Sequence, residues 1–257
     1  MSCDHCSAKY LVGMVNVSRP GALLDYALKL ERVGGNGMLV SGGCDTSGRV
    51  MFKPHHFREM ALIKERTDLS LNLHTGLIDD RTVERIAKIG VDSVSLDVVG
   101  EDSTVSETLH GKWGVDEYEN TFLSLVDSGI KVVPHVLVGL NRGAPSGEKK
   151  AVDMISRFDP GQAVMIILIP TPGTPMEGIR PPSKSYVLDI ARYMTEKLSS
   201  RLVLGCMRPR SYRGLEVDLM EMGFAGVVVP GRSAVQHARE MGWEILEHRR
   251  CCAVFDL

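Results

Sequence analysis

The 257-residue chain has no apolar run longer than residues 163–169, far short of the ~20 residues that a membrane-crossing helix needs. Neither charge dominates. The net charge is −2 with 24% charged residues, and lysine and arginine are dispersed, with no basic block beyond Arg249-Arg250. A surface that tracks nucleic-acid phosphates is therefore not expected. The N-terminus has neither a basic leader nor an apolar signal core, which points to a cytoplasmic protein. Cysteine is also sparse. Six in a chain of this length do not make the dense pattern of a secreted disulfide scaffold, and in a reducing compartment they stay thiols or bind metal.

Two of those six open the chain, as Cys3-Asp4-His5-Cys6. Two thiolates cannot complete the coordination of zinc or of an iron–sulfur cluster. Three readings compete: a redox CxxC, half of a zinc site, and the end of a three-cysteine CxxxCxxC. A redox pair ordinarily follows a strand at a helix start, and no strand precedes Cys3. Zinc through Cys3, Cys6 and His5 is disfavoured because His5 cannot readily turn to share one tetrahedral centre with both cysteines.

Downstream, short apolar runs alternate with segments of helical periodicity, as in a parallel sheet buried on both faces. Strands are predicted near residues 38–42, 69–74, 93–98, 131–138, 164–169, 202–205 and 226–229. Helices are predicted near 22–33, 55–65, 79–89, 115–127, 147–157, 184–199, 212–222 and 234–241. Eight helices with seven strands suggest a (β/α)8 TIM-type barrel whose first strand is missing, the fold class expected here. The length suits one such domain over residues 1–257, with a tail from about 243 carrying Cys251 and Cys252. An open doubly wound sheet is the alternative.

Barrel chemistry sits at the carboxyl ends of strands, and those ends are polar here. They read Ser41-Gly42-Gly43-Cys44-Asp45, Asn72-Leu73-His74-Thr75-Gly76, Asp97, Pro134-His135-Val136-Leu137-Val138-Gly139, Gly173-Thr174-Pro175 and Gly205-Cys206-Met207-Arg208-Pro209. Taken with Cys3 and Cys6, this series resembles the radical S-adenosylmethionine (SAM) enzymes, in particular their biotin synthase and lipoyl synthase branch, along essentially the whole chain.

The resemblance implies a [4Fe-4S] cluster held by three cysteines, with SAM chelating its fourth iron. Cys3 and Cys6 match the second and third cysteines, and the first would fall just before Met1. Gly42 and Gly43 look like the glycine pair that meets the SAM amino group, and Asp45 falls near the acidic position, displaced by Cys44. Asn72 and Asp97 match polar residues towards the SAM ribose and substrate. Gly139 ends a motif on the adenine side in which His135 replaces a glycine and Arg142 stands where an acid is common. Gly173-Thr174-Pro175 matches a tripeptide of the branch. The [2Fe-2S] cluster of biotin synthase is not expected, because its three cysteine positions align with Leu39, Asn72 and Val133, and only its arginine remains, as Arg208.

Cys206 with Cys251 and Cys252 is similar to one subunit of the archaeal two-component lipoyl synthases, which implies an auxiliary cluster that gives up sulfur. Adjacent tail cysteines are equally compatible with free thiols. Arg208 and His135 are the candidate catalytic residues, while His74 and His110 are further candidates to donate hydrogen bonds or line the entrance. The implied reaction is reductive cleavage of SAM, hydrogen abstraction from an unactivated carbon and sulfur insertion. The implied partners are a sister subunit, an acyl-carrying protein and an electron donor of the ferredoxin or flavodoxin type. Hydrogen abstraction without sulfur insertion, or a barrel subunit without a cluster, are the alternatives.

Overall fold

Strands β1 (Gly37–Val40), β2 (Ser70–His74), β3 (Ser93–Val98), β4 (Val132–Val138), β5 (Gln162–Ile167), β6 (Arg201–Leu204) and β7 (Gly226–Val227) pair in chain order as one parallel sheet. The structure is a computed structural model and describes residues 3–248 and 251–254. Arg249-Arg250 lies outside the described residues. Each crossover carries a helix: α2 (Pro54–Arg66), α3 (Asp80–Ile89), α4 (Asp102–Thr108) with α5 (Val115–Asp127), α6 (Glu148–Ser156), α7 (Lys184–Lys197) and α8 (Leu215–Glu221). α1 (Ala22–Arg32) precedes β1 and α9 (Arg232–Glu240) follows β7.

The helix boundaries follow from local chemistry. Proline opens α2 where its missing N–H costs nothing. Asp79 caps α3 by accepting from the Thr82 N–H at 2.9 Å, and Gly90 ends it at φ 73°. All eight expected helices are present. α4 was not expected, because its seven residues bury only Thr104, Val105 and Thr108 and show no apolar repeat.

The closed eight-stranded barrel is not formed among the described residues: β1 pairs only with β2, and β7 only with β6. The result is a seven-stranded half-barrel. β7 has two residues, too short a ladder to carry closure.

Alternation along the strands divides the sheet into two faces. Leu71, Leu73, Val94, Leu96, Val132, Val136, Met165, Ile167, Leu202 and Leu204 join the main core under the helices. Val133, Val164, Ile166 and Val203 form a second cluster on the inner face, and it is covered by Cys252 and Ala253 from the tail. Residues 241–248 are exposed, whereas residues 252–254 are buried. Among the described residues no helix is long and apolar enough to span a membrane.

Candidate functional site

The cysteine loop is clamped over the carboxyl ends of the strands. Asp4 is 6% exposed, and its backbone N–H donates to Thr108 O at 2.9 Å. One carboxylate oxygen lies 2.6 Å from His110 Nε2, and the other accepts from Arg142 at 2.6 Å. Beyond Cys6 the chain makes a 3-10 turn, Lys9–Leu11. There Lys9 Nζ donates to Pro172 O at 2.6 Å, and Tyr10 Oη meets Thr171 Oγ1 at 2.9 Å.

Four of the non-glycine residues at positive φ serve this loop: Ser7 (45°) and Ala8 (61°) in it, His110 (55°) and Arg142 (51°) gripping it. A left-handed backbone costs these residue types of order 1 kcal/mol each and persists where surrounding contacts over-determine it. Sequence reading missed Asp4 as the anchor, because its partners lie over 100 residues away.

The thiols share one neighbourhood with Cys44 from the β1–α2 loop. Burial pushes Cys3 up to about 11, and the charges of Cys6 and Cys44 add to it. Burial likewise raises Cys6, and raises Cys44 to about 11 with Asp97 contributing. A redox CxxC needs a lowered thiol, so this is the wrong setting for one. Holding iron would require these thiols to lose their protons. No three His, Cys, Asp or Glu side chains among the described residues converge to chelate a single ion. A polynuclear cluster, with each ligand on its own iron, asks only that the thiols face one volume.

Gly42 and Gly43 lie beside this loop. A Cβ on Gly42 would come 3.3 Å from Val50 Cγ1, and one on Gly43 would come 3.4 Å from Leu11 Cδ1, in the turn that follows Cys6.

Asp97 is the charged centre of the inner face. Its carboxylate lies 3.2 Å from His74 Nε2. Burial would raise the carboxyl, but His74, and behind it His135 and His5, hold it far below the usual range. Burial works against protonation of His74, and Asp97 outweighs it, raising the imidazole. Burial lowers His135 and His5, and His5 Nδ1 is buried without a hydrogen-bond partner.

Several expected roles are corrected by geometry. Arg208 is 2% exposed. Its Nε and Nη2 donate to Glu216 Oε1 at 3.1 and 2.7 Å, Nη1 to Gly205 O at 2.6 Å and Nη2 to Val229 O at 3.1 Å. Glu216 Oε2 in turn accepts from Gly231 N–H at 2.6 Å. Arg208 is thus a clasp joining the ends of β6 and β7 to α8. Asn72 is fully buried, donating to Ser93 Oγ at 2.7 Å and accepting from Ser95 Oγ at 3.0 Å, so His74 presents the polar group at the β2 end.

Asp45 Oδ1 accepts from Ser47 and Arg49 N–H in its own turn. Gly139 sits at φ 83°, where a Cβ would come 2.7 Å from Pro182 Cγ, and its N–H is spent on buried Glu148 at 2.8 Å. Gly173, Thr174 and Pro175 shape the loop that Lys9 and Tyr10 grip: Gly173 sits at φ 70°, Thr174 Oγ1 donates to Thr171 O at 2.7 Å, and Pro175 is exposed.

The tail cysteines do reach the inner face. Cys251 and Cys252 Sγ are 3.9 Å apart, and Cys252 Sγ lies 3.6 Å from His135 Nε2. The contact between the two sulfurs favours one thiolate in the pair, lowering Cys251, while the neighbouring charge and burial raise Cys252. Cys206, exposed at the end of β6, is close enough for its charge to act on Cys252.

A half-barrel of parallel strands with a thiol-bearing loop pinned over its strand ends defines an α/β protein of the partial TIM-barrel type. The radical SAM superfamily model matches residues 1–142, and the chain belongs to that superfamily. Among solved structures, methylornithine synthase (PylB) superposes with a TM-score of 0.65 at 18% identity, over 96% of this chain and 79% of that one. HydG, a maturase of the [FeFe]-hydrogenase, gives 0.64 at 12% identity, over 91% of this chain and 55% of that one. These likenesses are of fold. No curated protein matches the chain in sequence.

Proposed function

We propose that this radical SAM protein uses Cys3 and Cys6 as ligands of a [4Fe-4S] cluster that cleaves SAM reductively, and that it inserts sulfur at an unactivated carbon, as in lipoyl synthesis. The observation that carries the reading is the strained, doubly clamped loop that sets both thiols, with Cys44, above the Asp97 end of the inner face. When bound, cluster and SAM supply a carbon-centred radical that protein side chains cannot generate.

The chain's own residues do the rest. Cys3 and Cys6 lose their protons to hold iron, while Asp4 with His110 and Arg142 fixes the loop. Gly42 and Gly43 leave room for close backbone approach. Asp97, kept anionic, is placed to accept hydrogen bonds from a ribose or a substrate donor.

Sulfur insertion is supported by the pairing of Cys251 with Cys252 against the inner face, with Cys206 close enough for its charge to act on Cys252; an auxiliary iron–sulfur group would serve as the sulfur source. Under this reading the substrate is an octanoyl chain on a carrier protein's lysine, a sister subunit takes part, and a ferredoxin or flavodoxin delivers electrons. Anaerobic reconstitution with iron and sulfide followed by dithionite and SAM tests it. Methionine and 5′-deoxyadenosine with two clusters' worth of iron are expected. One cluster's worth removes sulfur insertion, and an iron-free protein that leaves SAM intact removes the enzyme reading.

A further inference from the structure

The chain's end sets two adjacent thiols in different surroundings. Cys252 is 9%, Ala253 0% and Val254 4% exposed, seated on inner-face Val133, Val164, Ile166 and Val203. The Gln162 side-chain amide, at the start of β5, donates to the Cys252 carbonyl, so the Cys252 backbone is held as well as packed. Cys251, one residue earlier, is only half-buried, and the two Sγ atoms are 3.9 Å apart. A reagent in solvent meets Cys251 first. Sulfurs this close, in a volume that the tail itself fills, are placed for chemistry with each other.

The buried thiol also has a place for its proton. His135 Nδ1 lies 3.1 Å from Val133 O, and a carbonyl can only accept, so Nδ1 carries the hydrogen. Nε2 therefore presents a lone pair, 3.6 Å from Cys252 Sγ. A thiol facing the free lone pair of an imidazole whose other nitrogen is tied to a third group is the arrangement of a nucleophile with its base. His74, the other inner-face imidazole, is engaged by Asp97.

We propose that Cys251 and Cys252 form a thiol–disulfide exchange site for small-molecule disulfides, in which Cys251 attacks first and Cys252 closes the pair, passing its proton to His135 Nε2. Such a site is independent of sulfur insertion and needs no iron. In the first step the Cys251 thiolate attacks one sulfur of R–S–S–R, forming a mixed disulfide between Cys251 Sγ and one RS group and releasing the other as RS−. In the second, Cys252 Sγ, freed of its proton by His135, attacks Cys251 Sγ, and the remaining RS− leaves. The leaving thiolates take up the two cysteine protons, so the pair loses two electrons and two protons and R–S–S–R becomes two R–SH. Closure brings the sulfurs from 3.9 Å to the ~2.05 Å of a disulfide. Neighbouring residues have Cα atoms nearer than the usual disulfide range, so the bond is strained and readily reduced. That suits a reversible site and not a structural staple.

The test uses the full chain after anaerobic reconstitution with iron and sulfide. The neutral probe hydroxyethyl disulfide is added, remaining thiols are trapped with N-ethylmaleimide, and trypsin cleavage after Arg250 releases residues 251–257, which hold no cysteine besides the tail pair. This peptide is expected to be two hydrogens lighter and closed to the maleimide until reduced. Cys252→Ser stops at the first step, and its peptide carries one mercaptoethanol group on Cys251. Cys251→Ser loses the reaction, because Cys252 is buried. In His135→Gln the adduct on Cys251 forms at the parent rate, which also reports an intact tail, while closure slows roughly 10²-fold. A peptide that takes up two maleimides throughout, or a Cys252→Ser chain without the adduct, overturns the site. Closure at an unchanged rate in His135→Gln overturns the role of His135 as proton acceptor.

Discussion

The inner face of the half-barrel is two surfaces. Along β2, β3 and β4 it is polar, with Asn72, His74, Ser93, Ser95, Asp97 and His135. Along β4, β5 and β6 it is apolar, with Val133, Val164, Ile166 and Val203. The polar arc satisfies itself through side-chain hydrogen bonds and keeps an ion pair at its mouth. The apolar arc cannot do so and is covered by the chain's own end. One arc is built to hold a polar ligand in a fixed orientation, and the other recruits a segment that brings thiols with it. His135 stands on the seam and touches both.

The comparison can be broken where the apolar arc is anchored. Arg208→Ala strips Glu216, Gly205 O and Val229 O of the buried guanidinium and leaves Glu216 only the half-exposed Arg210 and the Gly231 N–H, and a loss of about 3–5 kcal/mol is expected in denaturant unfolding. Reductive SAM cleavage per folded molecule should be retained, since the Arg208 donors are spent on Glu216, Gly205 O and Val229 O. Next in size is Ala253→Asp, which sets an unpaired carboxylate against Val133 and Val203. The tail should undock, at a cost of about 2–4 kcal/mol, read as faster proteolysis after residue 242 and new binding of a hydrophobic dye. If stability and protection are unchanged, the tail does not cover the apolar arc.

In the polar arc, Asn72→Ala strands the Ser93 and Ser95 hydroxyls, and about 1–3 kcal/mol should be lost. A change confined to SAM affinity, with stability untouched, would restore Asn72 to the binding site.

The smallest effect is a titration. The His74 pKa is raised, so its contribution is complete below the ordinary histidine value and is lost as pH rises through the raised one. The Asp97 pKa is depressed, so its contribution is present above the ordinary carboxyl value and is lost as pH falls through the lowered one. The ion pair therefore holds from the acid range to above pH ~6.5. Histidine NMR should show the His74 midpoint fall in Asp97→Asn, where only the weaker pull of Cys251 opposes burial. No fall would mean that the two groups are not paired.

The order of strands and helices was legible because each crossover had to bury one stripe of a helix on a sheet, and that demand writes a period of 3.6 or a near-continuous apolar run into the chain. α4 escaped notice because its task is to present Thr108 O and the turn at His110 to Asp4, which needs no apolar stripe. The site was legible in its residue types and illegible in its partnerships. Cys3, Cys6, Cys206, Cys251 and Cys252 stood out as thiols in suggestive places. Arg208 looked like an active-site cation because it ends a strand, and its burial against Glu216, eight residues on, is settled only when α8 folds back.

The sequence by itself determined the alternating α/β architecture and the thiols at the chain's beginning and end, since periodicity and residue chemistry are local properties. Only the tertiary structure decided that Asp4 is held by His110 and Arg142, that Asn72 and Arg208 spend their polar groups on the scaffold, and that Cys252 meets His135. Those contacts join residues far apart in the chain, and which donors find which acceptors depends on how the strands align and where the crossovers bring each side chain.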